Sequence, residues 1–403
     1  MKIFMKKILY IILIGFSIRL IAIYSLGNFK NNFYWEYGEI AKNLNNNKGY
    51  SLFYIDKGKL EYHYTTNSNP KESAYMPPGY TYFLSPFIYI ENITLRNILI
   101  YITQSIISVL TIFFVYILTK FIFTEKTAII AAIIIAVVPE FIYTTLSFTP
   151  TTFYHLMVVL LLLISIKLDS RKNKYVYYYG IIISFLIYFR SEFVLFWFLS
   201  ILYFIYNKKF KFSIRLLLIV FIFISPWLIR NYITFNKFIP LSTSFGLNFY
   251  RGNNPYGIGD WGDERINNKI LNLNSTNLEI EYNNIYKEEA ISYIINNPIN
   301  EIKNIFNKIY YFWIFNKTDK RSYNPLYLFP SFIILIFSLY GIILSFNWNK
   351  YKFFYLFFIY SNLIIIIFFP LLRYNTMMKI GLLPFTAYGI VEAINFLKNK
   401  YFV

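Results

Sequence analysis

Two carboxylates, Glu36 and Glu39, stand three residues apart in a run in which Phe33, Tyr37, Ile40, Ala41 and Leu44 recur at helical spacing. The spacing predicts an amphipathic helix at the membrane interface, with Phe33, Trp35 and Tyr37 suited to headgroup depth. At 100° per residue Glu36 lies about 40° outside the apolar stripe and Glu39 about 100° outside it. Glu36 is therefore better placed to face a cavity, where a carboxylate can accept a proton; on a plain surface helix both would only be solvated. Arg230 follows Pro226-Trp227-Leu228-Ile229 and precedes Asn231-Tyr232, at the point where an apolar run ends. A guanidinium there can clamp a phosphate through two parallel hydrogen bonds, or snorkel to headgroups as an anchor. Gly246, Gly252-Asn253-Asn254-Pro255 and Gly257-Ile258-Gly259-Asp260 form a turn-rich polar stretch with the groups that sugars require. His63 and His155 are far apart and have no carboxylate cluster at metal-ligand spacing, and cysteine is absent, so neither a zinc site nor a disulfide is expected.

These residues are positioned by apolar runs long enough to cross a roughly 30 Å hydrocarbon core. About ten such runs lie near residues 7–26, 97–121, 127–145, 151–168, 175–189, 192–206, 213–229, 327–346, 352–370 and 379–397. Hydrophobic residues make up 57% of the 403 and charged residues 15%, and the mean hydropathy is positive, which excludes a soluble globular protein. Basic residues choose the orientation. With Lys2, Lys6 and Lys7 inside, the other inner loops carry Lys120 and Lys126, Arg171, Lys172 and Lys174, Lys208, Lys209, Lys211 and Arg215, Lys350 and Lys352, and Lys398 and Lys400.

Two long loops, 27–96 and 230–326, then share the opposite, extracytoplasmic side of a single membrane domain spanning 1–403. The second loop predicts two soluble helices, 278–296 and 299–315, separated by Pro298. Between Arg230 and Asn324 it has eleven Lys and Arg against nine Asp and Glu, so the net charge of +19 reflects the inner face and anionic lipid, not a nucleic-acid partner. At Ala74-Tyr75-Met76-Pro77-Pro78-Gly79-Tyr80 two prolines and a glycine predict an extended chain and a tight turn into the next apolar run. Arg19, at membrane depth, fits a snorkelling anchor or a site residue; Glu140 and Glu392, near helix ends, fit interface solvation.

In their order and common side these segments resemble the GT-C type polytopic glycosyltransferases, in particular the branch related to protein O-mannosyltransferases and lipid A aminoarabinose transferases. The residues that carry the resemblance are Glu36 to Leu44 with Gly49-Tyr50, the Ala74 to Tyr80 turn, Arg190 with Glu192, Pro226-Trp227 through Asn231-Tyr232, Gly246 through Asn253-Asn254, Glu289-Ala290 with Tyr293-Ile294 and Asn297-Pro298, and Arg373-Tyr374. The resemblance implies an all-α integral membrane protein of the GT-C fold in the cytoplasmic membrane. It implies transfer of a single sugar from a polyprenyl-phosphate donor to a lipid, glycan or protein acceptor on the extracytoplasmic face.

It further implies an acidic catalytic residue in the first outer loop. Here that is Glu36, with Glu39 the alternative, where the commoner pattern has Asp. Arg230, Arg373 and Lys379 become candidates for the donor phosphate, and Tyr80, Arg190, Asn231, Tyr232, Asn253 and Asn254 for substrate binding. A base that takes the acceptor proton and a cation that stabilises the leaving phosphate suffice, and in-line attack inverts the anomeric carbon. No cofactor is required, although a divalent ion, Mg²⁺ or Mn²⁺, held by Glu36 and the donor phosphate is compatible with the sequence. The acid common near the start of the fourth helix in related enzymes is absent from Ser147-Phe148-Thr149-Pro150-Thr151-Thr152. A flippase or transporter of polyprenyl-linked saccharide would show internal repeats and midplane polar breaks, which the sequence lacks. A surface-polysaccharide ligase or polymerase would differ in its donor, a diphosphate carrier.

Overall fold

The structure, a computed structural model, describes residues 2–56, 59–61, 69–168, 174–255 and 277–401. His63, Arg171, Lys172 and the glycine-rich stretch 257–260 lie outside them. In chain order the helices are α1 (Lys2–Leu26), α2 (Trp35–Asn45), α3 (Pro78–Ile88), α4 (Ile93–Ile122), α5 (Glu125–Val137), α6 (Pro139–Tyr143), α7 (Thr151–Ser165), α8 (Lys174–Phe189), α9 (Val194–Tyr206) and α10 (Phe210–Phe235). They continue with α11 (Phe245–Gly252), α12 (Leu278–Asn296), α13 (Pro298–Trp313), α14 (Pro325–Leu344), α15 (Trp348–Ile367), α16 (Leu372–Lys379) and α17 (Leu383–Tyr401).

Each apolar run of the sequence is helical, but not each is a long straight span. α1, α4, α10, α14 and α15 are long and apolar enough to cross a membrane, and the bent pairs α5–α6 (57°) and α16–α17 (68°) bring five spans to as many as seven. α7, α8 and α9 are shorter; the 16 residues of α8 rise only about 24 Å. α1 and α5 pack on α4, α4 on α7, α7 on α8 and α8 on α10, and α17 joins α5 to α14. The core between them is aliphatic and aromatic, with Val115, Leu161, Phe193, Phe196 and Tyr360 among its buried members.

Three departures from the sequence reading have local causes. Pro77 is extended as expected, but Pro78 takes the first position of a helix rather than closing a turn, because its missing N–H is not needed there. The resulting α3 covers the apolar face of α2, whose Ile40 and Ala41 are completely buried, so that face meets protein rather than lipid. The first loop also contains a two-stranded antiparallel hairpin, β1 (Tyr54–Asp56) with β2 (Lys59–Glu61), in the register Tyr54 to Glu61.

The bend between α5 and α6 accounts for Arg19, which is buried and reaches neither interface. Pro139 has no N–H to offer the Ile135 carbonyl. Arg19 Nη2 donates to that oxygen at 3.1 Å, Nη1 to Ala136 O at 3.3 Å and to Gly15 O at 2.9 Å, and Nε to Ser108 Oγ at 2.9 Å. One guanidinium thus caps the carbonyls that the break releases. At the far edge of the bundle α14 lies directly on α17, where a Cβ on Gly341 would come within 2.0 Å of Phe385 O. Only glycine allows that approach.

Candidate active site

At one end of the bundle α2, the Tyr75–Pro77 segment, α6, α11, the chain leading into α14 and α16 and residues of those two helices line a cavity of roughly 1650 Å³. Glu36, on the first turn of α2, lies half-buried in its wall. The residue before it, Trp35, has φ 58°, a left-handed conformation that costs a non-glycine residue about 1–2 kcal/mol. Tyr37, also in the wall, is buried, and burial pushes its phenol well up; Arg190, Glu192, Tyr374 and Glu36 are its charged or ionisable neighbours.

Cations line the same cavity. Arg190 pairs with Glu192 and stands over the Tyr374 ring at 4.5 Å, while Arg373 stands over the same ring at 5.3 Å. Two guanidinium groups therefore share one aromatic ring. Arg321 grips Asp319 in a fork, Nε to Oδ1 at 3.1 Å and Nη2 to Oδ2 at 2.6 Å. Burial alone would push the Asp319 carboxyl up, but the bonds from Arg321 and the nearby Arg373 hold it below its usual value. Arg251, at the last turn of α11, is buried and lines the cavity as well. α11 is fixed there because Gly252 lies against the Phe368 carbonyl, where a Cβ would come within 1.9 Å.

Glu140 is in the wall rather than solvated at an interface, since the Pro139 break turns it inward. It accepts from Lys379 Nζ at 3.0 and 3.1 Å and from Thr376 Oγ1 at 3.0 Å. A further side of the cavity is apolar and faces out of the bundle. It is bordered by Ile21 and Leu26 of α1, Tyr143 of α6 and Leu326 of α14, each more than half exposed.

Of the sequence candidates, Glu36, Arg190 and Arg373 line this cavity, and the others lie elsewhere. Glu39 is buried beneath α2 in an ion pair with Lys42, Oε1 to Nζ 2.8 Å. Arg230 donates to Ser73 O at 2.6 Å, Tyr50 O at 2.9 Å and Glu72 Oε2 at 2.6 Å, and packs against Tyr50 and Trp227. It ties the 27–96 segment to α10. Lys379 is held under the wall by Glu140 and by Ser331 Oγ at 2.6 Å. Tyr80 gives its hydroxyl to Gln104 Oε1 at 2.9 Å, and Asn231 its amide to Ile239 O at 3.2 Å. Tyr232 is exposed on α10.

Asn253 and Asn254 spend their amides on backbone carbonyls: Asn253 on Phe249 and Ile367, Asn254 on Tyr250 and Arg251. The sequence reading missed Arg251, which immediately precedes the Gly252-Asn253-Asn254 run, and the Asp319-x-Arg321 pair, a local carboxylate–guanidinium spacing in an otherwise plain loop. Among the described residues no three His, Asp or Glu side chains come together as metal ligands. His155 is buried beside the Thr376 carbonyl at 3.2 Å.

Residues 75–229 match the model of the dolichyl-phosphate-mannose-protein mannosyltransferase family. No curated protein matches the chain in sequence. Among solved structures, the apo oligosaccharyltransferase of Archaeoglobus fulgidus aligns over 98% of this chain and 51% of its own, with a TM-score of 0.59 and 13% identity. The same enzyme tethered to an acceptor peptide containing the NVT sequon gives a TM-score of 0.59, 13% identity and coverage of 98% and 50%. Its complex with an inhibitory peptide and a dolichol-phosphate gives 0.58, 14%, 98% and 51%. The chain spans about half the length of these structures. It has the fold of a GT-C type enzyme, and the resemblance carried by its residues stands together with the mannosyltransferase family match over residues 75–229.

Proposed function

We propose that the protein is an integral membrane glycosyltransferase that moves a single sugar from a polyprenyl-phosphate donor to an acceptor on the extracytoplasmic face. The observation that carries this reading is the placement of Glu36 in one cavity with Arg190, Arg251, Arg321 and Arg373, beside an apolar border open to the outside of the bundle. A prenyl chain can stay in lipid at that border while its phosphate enters among the guanidinium groups. Glu36 takes the proton of the acceptor hydroxyl or amide. The acceptor atom bonds to the anomeric carbon as the bond from that carbon to the phosphate oxygen breaks, and the electron pair leaves on the prenyl phosphate. Attack from the face opposite the phosphate inverts the anomeric carbon.

Arg373, with Arg251 and Arg321, stabilises the leaving phosphate; Arg230 and Lys379, engaged elsewhere, do not touch it. A divalent ion, if used, would have Glu36 as its protein carboxylate and take its other ligands from donor phosphate and water. The test is transfer from a panel of polyprenyl-monophosphate sugars to membrane-extract acceptors by protein in liposomes. Glu36→Gln is expected to lose activity by about 10²–10⁴-fold while remaining folded, and Arg373→Ala to fall by about 10²-fold or more. Movement of labelled donor between leaflets without consumption would instead favour a flippase, and consumption of only diphosphate-linked glycans a ligase.

A further inference from the structure

The second outer loop was expected to hold two soluble helices, yet α13 presents an apolar stripe that none of the described residues covers. Ile299, Ile302, Phe306 and Tyr310 are all exposed, and at 100° per residue they fall within a sector of about 80°. Ile295, at the end of α12, extends the stripe. Lys303, Asn307 and Asn300 are exposed along one edge of it. The opposite side of the same helix is pegged into the protein. Lys308 is completely buried and donates to Asn253 Oδ1 at 2.7 Å, Glu301 Oε1 at 3.1 Å and Ile366 O at 3.0 Å, and Asn304 donates to Gly252 O at 2.9 Å.

From this geometry we propose that the α13 stripe is seated in the bilayer leaflet on the cavity side, with lipid acyl chains as its occupant. Continuity decides for lipid. The chain leaving α13 enters α14, a span that is only 17% buried, whose exposed Leu326, Phe329, Ile333 and Ile336 carry on the same kind of surface. Tyr310 and Tyr311 stand at the α13 end that leads on in sequence to that span, as aromatic residues do at headgroup level, while Trp313 beside them gives its indole N–H to Asn362 of α15 at 3.0 Å. A lysine beside an apolar stripe is the pattern of a helix lying in the interface plane. The peg gives the seat a consequence: Gly252 and Asn253 adjoin Arg251, so this part of the cavity wall is held at a fixed height relative to the headgroups.

The proposal stands whatever the cavity transfers, and its test does not use activity. The chain contains no cysteine, so a nitroxide can be placed at single positions 299, 302, 306 and 300 without removing native thiols, and each of these side chains points out of the core. In nanodiscs of phosphatidylethanolamine and phosphatidylglycerol, labels at 299, 302 and 306 should collide with oxygen in several-fold preference to a water-soluble nickel chelate, whereas Asn300→Cys should show the reverse. Equal exposure of 302, 306 and 300 to the nickel chelate would overturn the seat. So would spin–spin broadening at 306 that vanishes on dilution with unlabelled protein, which would put a second copy on the stripe in place of lipid.

Discussion

Glu36 and Arg230 show what single residues disclose before folding. The helical wheel put Glu39 farther from the apolar stripe than Glu36, yet Glu39 is the more buried of the two, because α3 and the Lys42 ion pair cover that side of the helix. Trp35, strained at φ 58° just before Glu36, adds a sign that sequence does not carry; such strain persists where surrounding packing imposes it. Arg230 was ambiguous in sequence because its partners, Ser73, Tyr50 and Glu72, are more than 150 residues away. Arg230→Ala should therefore act on stability, costing about 1.5–3 kcal/mol for the charged hydrogen bonds lost. Thermal unfolding in detergent would show it, with donor binding little changed in whatever stays folded.

Glu279 calls for a pH experiment. It accepts from the Ala74 N–H at 2.8 Å and from the Thr243 hydroxyl. Burial pushes its carboxyl above the usual value, against those hydrogen bonds and the nearby Arg230, which pull it down. The folded protein thus holds this proton more tightly than the unfolded chain. The contribution to stability is complete below the ordinary carboxylate pKa and is lost as pH rises through the higher folded value. Glu279→Gln is expected to flatten that part of the pH dependence, read as a smaller difference in Tm between pH 5 and pH 8 than in the parent protein.

At the scale of elements, hydropathy located the helices but not what covers their faces. The stripe on α2 was expected to meet headgroups and meets α3 instead, because α3, with Pro86 inside it and prolines at its start, did not read as a helix. The break between α5 and α6 was hidden as well: one apolar run covers both, and only the cap supplied by Arg19 makes the bend tolerable inside the bundle. Arg19→Met should leave the Ile135 and Ala136 carbonyls without that donor, at roughly 1–3 kcal/mol each. Because Glu140 lies just beyond the bend, the same substitution should lower transfer activity together with Tm. Loss of Tm with activity per folded molecule unchanged would show that the bend does not set the cavity.

For the whole molecule, the lysines of the short loops, Lys120 and Lys126, Lys208 and Lys209, and Lys350, lie at one end of the bundle and the cavity at the other. That arrangement was legible because short basic loops are read locally; the cavity was not, because its wall combines α2, α11 and the chain leading into α14 and α16, brought together only by tertiary packing. Single cysteines at 208 and 248 test the orientation in intact cells. Asn248→Cys, in the cavity wall, is expected to react with a membrane-impermeant maleimide, and Lys208→Cys only after permeabilisation; the opposite pattern would invert the topology and move the proposed reaction to the cytoplasmic side.

The hydrogen bond from the Ala74 N–H to Glu279 spans 205 residues, and that distance is also an interval of time. At roughly 5–20 residues per second, about 10–40 s pass between synthesis of the first long loop and arrival of the carboxylate that fastens it. Through that interval the membrane helices from α4 to α10 are made while Ala74 and Ser73 wait for Glu279 and Arg230. The first loop, which carries Glu36, is therefore complete early in sequence and among the last parts to be locked in place, so a nascent chain is most open to proteolysis in the segment that its proposed chemistry requires.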